Sequence, residues 1–340
     1  MLVGAAPAAK PVDPKAYPLL LQAQALSDQQ SKASRERAVS VYKQALEVSS
    51  NEARAWAGVA RVYYNQATFD GRLSKRIALS RDAAHKALAI EPDNVIALGV
   101  LGRIASDIEF DLPAATRYFQ RAIDLEPENL IVLNSVAIML QSIDRADQAI
   151  RLQQYRVDHD PANPTAYYNL GIALYAGRKW DAAIDAFRTA TRLSPDAGAV
   201  PGALGASLLL GHHDAADALK ACETDSDEAS RLQCSAVVLH ALRRTKDADA
   251  AQQTFVEKYG GDQPGFAASI FAYRGNADAA FEWLDKGVAA HDPQTATILA
   301  EPLFDALHGD ARWERLLRKL NQTPEQLAKI ELKMKLPGDR

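Results

Sequence analysis

The chain is short of several things, and each shortage excludes something. It has two cysteines in 340 residues, which rules out a small scaffold stapled by disulfides. Aromatic residues make up 7%, so its interior is expected to pack through small residues rather than large rings. No run of about 18 apolar residues occurs, the length a membrane-spanning helix needs. Basic charge is not in excess: 39 Lys and Arg stand against 43 Asp and Glu, a net charge of −4, where a nucleic-acid-binding surface calls for a basic stripe. Sustained period-two alternation, the mark of half-buried strands, is missing too.

Catalytic signatures are equally scarce. There is no G-x-x-x-x-G-K-[ST] phosphate loop and no strand to carry a G-x-G-x-x-G turn. A G-x-S-x-G nucleophile turn is absent, and no carboxylate pair stands out. His212-His213-Asp214 sits at a tight turn after Gly211. Asp158-His159-Asp160-Pro161 closes a helix. Neither completes a metal-ligand spacing. No catalytic residue, metal or cofactor is therefore expected. The basic cluster Arg312, Arg315, Arg318 and Lys319 reads as a solvated helix face. Cys222 near one helix end and Cys234 two turns into the next read as two free, half-buried thiols, small hydrophobes in effect, with a disulfide between their adjacent helices as the alternative.

What is present is a period. Pro92, Pro127, Pro161 and Pro195 follow one another at steps of 35, 34 and 34 residues. Between Pro164 and Ala197 a first helix carries Tyr167, Leu170, Gly171 and Leu174 at three- and four-residue steps, and a second carries Ala183, Phe187 and Ala190. Each set is one apolar helical stripe. Gly177-Arg178-Lys179 supplies the turn between them. The same frame fits upstream. Leu98, Leu101 and Gly102 pair with Ala115, Phe119 and Ala122. Leu133, Val136, Ala137 and Leu140 pair with Ala149, with Arg156 where a small residue is usual. Trp56, Val59, Ala60 and Tyr63 pair with Ala84 and Ala87, with an added loop expected at Thr68–Ser74. Ala38, Tyr42 and Ala45 mark a weaker first unit.

Downstream the frame loosens. Leu204, Gly205 and Leu208 with Ala216 and Cys222 form a sixth unit; 229–242 with 248–259, and 266–273 with 279–288, form two more. Asp310–Leu320 is a short helix, and Thr323-Pro324-Glu325-Gln326 starts another through a capping box.

These residues resemble the tetratricopeptide-repeat family over nearly the whole chain, and the fifth unit, Tyr167-Tyr168-Asn169-Leu170-Gly171 through Pro195, carries the resemblance most specifically. It implies an all-α fold, a right-handed superhelical solenoid of antiparallel helix pairs with degenerate C-terminal units. Residues 1–16 are then a linker from an upstream domain, 17–197 regular units, 198–320 degenerate units with a capping helix, and 321–340 a C-terminal helix and tail. Asp13-Pro14-Lys15-Ala16-Tyr17, Glu301-Pro302-Leu303-Phe304-Asp305 and Asp310-Ala311-Arg312-Trp313 resemble, more loosely, the C-terminal repeats of bacterial signalling proteins that carry a TolB-like segment behind an adenylate cyclase or winged-helix domain. That second resemblance implies a regulatory or scaffolding role. The alternatives are a free-standing adaptor and an enzyme whose site goes unrecognised.

The first resemblance also implies where a partner lies: along the first helices, which line the concave face. The outward positions there are Arg54, Arg61, Tyr64 and Asn65, then Arg103, then Asn134 and Gln141, then Tyr168, Asn169 and Tyr175. Arg and Asn suit a carboxylate or an extended peptide backbone, and Tyr suits an apolar anchor. The lysines of the family's two-carboxylate clamp are missing from the matching positions. The expected partner is a protein or extended peptide, with no nucleic acid, no membrane insertion by this chain, and homo-oligomerisation open through Ile330, Leu332 and Met334. The cytoplasm is the favoured compartment, or the periplasm if a membrane span precedes these repeats.

Overall fold

The computed structural model describes residues 13–29, 32–70, 73–195 and 200–335. The expected linker, residues 1–16, lies almost entirely outside them. The described residues are all-α, and their helices run as consecutive pairs. The pairs are α1 (Tyr17–Asp28) with α2 (Lys32–Val48), α3 (Ala53–Asp70) with α4 (Leu73–Ile90), α5 (Val95–Asp107) with α6 (Leu112–Leu125), and α7 (Leu130–Ser142) with α8 (Ala146–His159). They continue as α9 (Pro164–Ala176) with α10 (Trp180–Leu193), α11 (Val200–Leu210) with α12 (Ala215–Glu223), α13 (Glu228–Ala241) with α14 (Thr245–Tyr259), and α15 (Pro264–Tyr273) with α16 (Ala277–Ala290). Two short 3-10 helices, Pro293–Thr297 and Pro302–Leu307, lead to α17 (Ala311–Lys319) and α18 (Pro324–Leu327).

The chain divides into two compact units. One contains Met1–Ser106, Asp111–Ser135 and Glu331–Arg340; the other contains Asp107–Phe110 and Val136–Ile330.

The junctions between pairs share one chemistry. Glu91-Pro92-Asp93-Asn94, Glu126-Pro127-Glu128-Asn129 and Asp160-Pro161-Ala162-Asn163 stand at the corresponding places. In each, the amide of the Asn donates to the carboxylate three residues back, at 2.7, 2.8 and 2.8 Å. Its carbonyl oxygen meanwhile accepts main-chain N–H groups of the next helix, from Ala97, from Ile131 and Val132, and from Thr165 and Ala166. This satisfies donors that a helix start leaves without partners. Proline ends the preceding helix because it has no N–H to continue it.

The turns inside the pairs are just as regular. Phe110, Asp144, Arg178 and His212 have positive φ (54°, 61°, 57° and 59°) and fall 34 residues apart, followed by Arg243 and Gly275. From Asp144 onward the following N–H bonds to the carbonyl five residues back, as Arg145 to Leu140, Lys179 to Leu174, His213 to Leu208 and Arg244 to Leu239. That is the Schellman closure of a helix C-terminus. Among the described turns glycine fills the left-handed position at Gly275, and Phe110, Asp144, Arg178, His212 and Arg243 accept the backbone strain of a side chain there.

Packing within a pair depends on a missing side chain. A Cβ added to Gly102 would stand 2.5 Å from Phe119, and one added to Gly171 would stand 2.5 Å from Phe187. Both rings are fully buried. Where the first-helix residue is Ala, no ring follows. Ala60 faces a unit whose matching second-helix residue is Ala84, and Ser80 Oγ donates to the Ala60 carbonyl at 2.7 Å. Ala137 belongs to a unit with Gln153 at the matching place, and Arg156 Nη1 donates to Gln153 Oε1 at 2.5 Å. Burial holds the Arg156 guanidinium down to about 10, against the opposing charge of Asp160.

Two expectations change. Cys222 and Cys234 are joined in a disulfide, with S–S 2.02 Å and Cα–Cα 5.6 Å. They are not free thiols. Cys222 lies on the second helix of its pair, one residue beyond the place 34 residues after Phe187. A Cβ on Gly205 would lie 2.7 Å from both sulfurs. The cystine thus fills the space of the ring. The loop expected at Thr68–Ser74 is also shorter than its seven residues: α3 runs to Asp70 and α4 starts at Leu73. Residues 71–72 lie outside the described set. At the other end the capping box of Thr323 and Gln326 is present, but the helix it starts has four residues, and 331–335 are not helical.

A disulfide closing so short a loop contributes on the order of 2–3 kcal/mol. Reduction is expected to lower the urea midpoint of unfolding accordingly. A Cys222→Ser/Cys234→Ser double variant should start from the lower midpoint and ignore reductant.

Candidate functional site

The ten outward positions of the first helices separate once side chains are placed. On α3, Arg54 is exposed, and Arg61 and Asn65 are half-buried. Arg61 reaches Asp28 on α1 at 3.1 Å. Tyr42 lies beneath that pair. Burial raises its hydroxyl pKa, the Arg61 charge opposes this, and Asp28 adds to it. Tyr64 is buried rather than outward. Its hydroxyl accepts from Arg103 Nη2 at 3.1 Å, and the Arg103 guanidinium lies 5.2 Å from the ring centroid. The two residues, on α3 and α5, thereby hold each other in place through a hydrogen bond and a cation–π contact. Asn134 on α7 is half-buried.

Gln141, at the end of α7, is buried. On α9, Tyr168 and Asn169 are half-buried. The Tyr168 ring lies 6.0 Å from Phe187. Its hydroxyl is pushed up to about 12 by burial, with the negative charge of Asp225 adding. Asp225 is itself buried, and accepts from Gly202 N at 3.0 Å and Ser230 Oγ at 2.7 Å. Tyr175 is not available to a partner. It is 7% exposed, and its hydroxyl donates to Glu301 Oε1 at 2.7 Å. Arg178, three residues on, pairs with Asp305 at 2.5 Å. The Glu301-Pro302-Leu303-Phe304-Asp305 segment thus covers the end of α9 with its own two carboxylates. Burial, then the Glu301 charge, holds the Tyr175 hydroxyl well above its ordinary range.

The accessible remainder is Arg54, Arg61, Asn65, Arg103 and Asn134 in one compact unit, and Tyr168 and Asn169 in the other. Sequence reasoning missed Asp28, Glu301 and Asp305, because nothing local ties them to residues 33, 126 and 127 positions away.

The chemistry of the remaining candidates is ordinary. His212 occupies a left-handed turn position, and His213 Nε2 lies 2.9 Å from Asp181 Oδ1. Among the described residues no group of three or more His, Cys, Asp or Glu could hold a metal ion. None of their helices is long and apolar enough to cross a membrane. In the basic cluster Arg312 pairs with Asp310 and Asp278, Arg318 with Glu314, and Lys319 with Asp285.

The tetratricopeptide-repeat family model matches residues 164–197, the pair formed by α9 and α10. That pair matches one tetratricopeptide repeat. Among curated proteins no significant match occurs. Among solved structures the chain is similar to the human IFIT1 dimer with m7Gppp-AAAA: 13% identity, 81% of this chain and 72% of that one, TM-score 0.60. The human IFIT1 dimer with PPP-AAAA aligns over 76% of this chain and 70% of that one, with 14% identity and TM-score 0.53. At such identities the likeness is one of fold. PilF of Pseudomonas aeruginosa aligns at 17% identity over 62% of this chain and 92% of that one, with TM-score 0.47.

One buried carboxylate gives the molecule a pH dependence. Asp292 caps the first 3-10 helix, accepting from Gln294 N at 3.1 Å and Gly265 N at 2.7 Å. Burial raises it to about 6 from 3.8 despite those bonds. Its folded pKa is the higher, so the folded state holds the proton more tightly. The stability it adds is complete below about pH 4 and is lost as pH rises through about 6. Asp292→Asn should remove this loss, which amounts to about 3 kcal/mol at most. Urea midpoints of both proteins at pH 4 and pH 7 check it.

Proposed function

We propose that this chain is a non-enzymatic protein-interaction domain that holds an extended peptide or protein segment on the first-helix side chains of α3, α5 and the start of α7, within one compact unit. The observation that carries the reading is Arg103, a guanidinium on a first helix whose direction is set by the Tyr64 hydroxyl and ring. A guanidinium held in one orientation can add a charge-assisted hydrogen bond to a partner's carbonyl or carboxylate oxygen beside the bonds it already makes. Arg54, Arg61 and Asn65 on α3 and Asn134 on α7 extend the same polar surface. Tyr168 and Asn169 offer a second one on α9.

A nucleic-acid ligand of the kind seen with IFIT1 is not favoured. The net charge is −4, and Arg61, Arg121, Arg178, Arg274 and Arg312 each pair with a carboxylate. The regulatory or scaffolding role within a modular bacterial signalling protein rests on the looser sequence resemblance described above. Buried in the core, the Cys222–Cys234 bond favours an oxidising compartment over the cytoplasm.

Selection of extended peptides from a display library on the intact protein tests this reading. The enriched peptides should carry carboxylates. Arg103→Ala should weaken them at least tenfold, about 1.4 kcal/mol, and Tyr64→Phe by less, with unchanged helicity in both. Peptides that bind Arg103→Ala as tightly as the parent would remove the first-helix surface from the proposal.

A further inference from the structure

We propose that α6 carries a second seat for extended polypeptide, filled in this structure by the chain's own residues 331–335. The seat is built on Gln120. The Lys333 main-chain N–H donates to Gln120 Oε1 at 2.8 Å, and Gln120 Nε2 donates to the Lys333 carbonyl at 3.1 Å. One side-chain amide thus makes the two bonds that a residue of a neighbouring strand makes in an antiparallel hydrogen-bonded pair. The remaining Nε2 hydrogen goes to Asp124 Oδ1, one turn along α6, at 2.8 Å. Oε1 faces a donor and Nε2 faces two acceptors, so the amide has only one orientation that satisfies its neighbours.

The occupant has the form such a clamp requires. Residues 331–335 are neither helical nor turned. Glu331, Lys333 and Lys335 are exposed, while Leu332 and Met334 are half-buried. That alternation is the period of two of an extended chain. The clamp touches only main-chain atoms at its centre, so it excludes proline there and tolerates other residues. Selectivity falls on the two flanking positions, which want apolar side chains. The partner that fits is an extended segment reading apolar, any residue but proline, apolar. The tail is its competitor in the same molecule. This seat lies on a second helix and does not depend on the first-helix reading.

The test uses the full chain. Leu332→Lys with Met334→Lys frees the tail by removing its apolar flanks. A fluorescein-labelled peptide with the sequence of residues 328–335 is then titrated and followed by anisotropy. The freed chain should bind it saturably, and the unaltered chain at least tenfold more weakly. Adding Gln120→Ala to the freed chain should abolish binding at unchanged helicity. No binding by the freed chain, equal binding by the unaltered chain, or binding that survives Gln120→Ala would each overturn the proposal. A second readout needs no tail substitution: in the otherwise unaltered chain, Gln120→Ala should speed hydrogen exchange at the Lys333 amide more than tenfold, and an unchanged rate would overturn the clamp. Concentration-dependent dimers that Gln120→Ala removes would be the same seat filled by a second copy's tail, and count in its favour.

Discussion

Two helices can approach closely only where one of them gives up a side chain, and the structure repeats that exchange along its length. Gly102 makes room for Phe119, and Gly171 for Phe187. In a close-packed interior neither a void nor an overlap is tolerated cheaply, so the two residues of each pair constrain each other. The exchange explains departures as well as matches. Ala137 stands in the place of Gly102 and Gly171, and the matching second-helix residue is Gln153, hydrogen-bonded to Arg156. Gly205 leaves the space, and the Cys222–Cys234 bond takes it. A cystine in this chain is therefore a packing element as well as a crosslink.

The capping chemistry fixes where the pairs begin and end. An acid, a proline and an Asn three residues after the acid close one pair and open the next, and a left-handed residue closes each first helix from Asp144 to Gly275. Among the first-helix side chains Arg54 stays exposed, and Asn65 and Asn134 are half-buried. The same array turns other side chains inward: Tyr64 becomes a support for Arg103, and Tyr175 a buried link to Glu301.

Most of the fold was legible because its determinants are local. The proline period, the Gly and Phe stripes, and the turn at Gly177-Arg178-Lys179 all lie within one repeat length. The Asn of the acid-proline-x-Asn junction is equally local, three residues after the acid that it bonds. The rest was hidden by distance or by a missing rule. The bond between Tyr175 and Glu301 spans 126 residues, and that between Gln120 and Lys333 spans 213; neither leaves a periodic trace. The cysteines looked unbridged because helix positions alone say nothing about the close approach that Gly205 allows. The site was legible only as a set of outward positions, of which burial removes Tyr64, Gln141 and Tyr175.

The most direct measurement of the central claim is a double-mutant cycle on Gly171 and Phe187, read by urea unfolding. Gly171→Ala alone should cost about 1–3 kcal/mol through overlap with the ring. With Phe187→Leu already present, the same substitution should cost less, leaving a coupling of about 1 kcal/mol or more. Additive costs would mean that the glycine and the ring do not share one space, and would contradict the account.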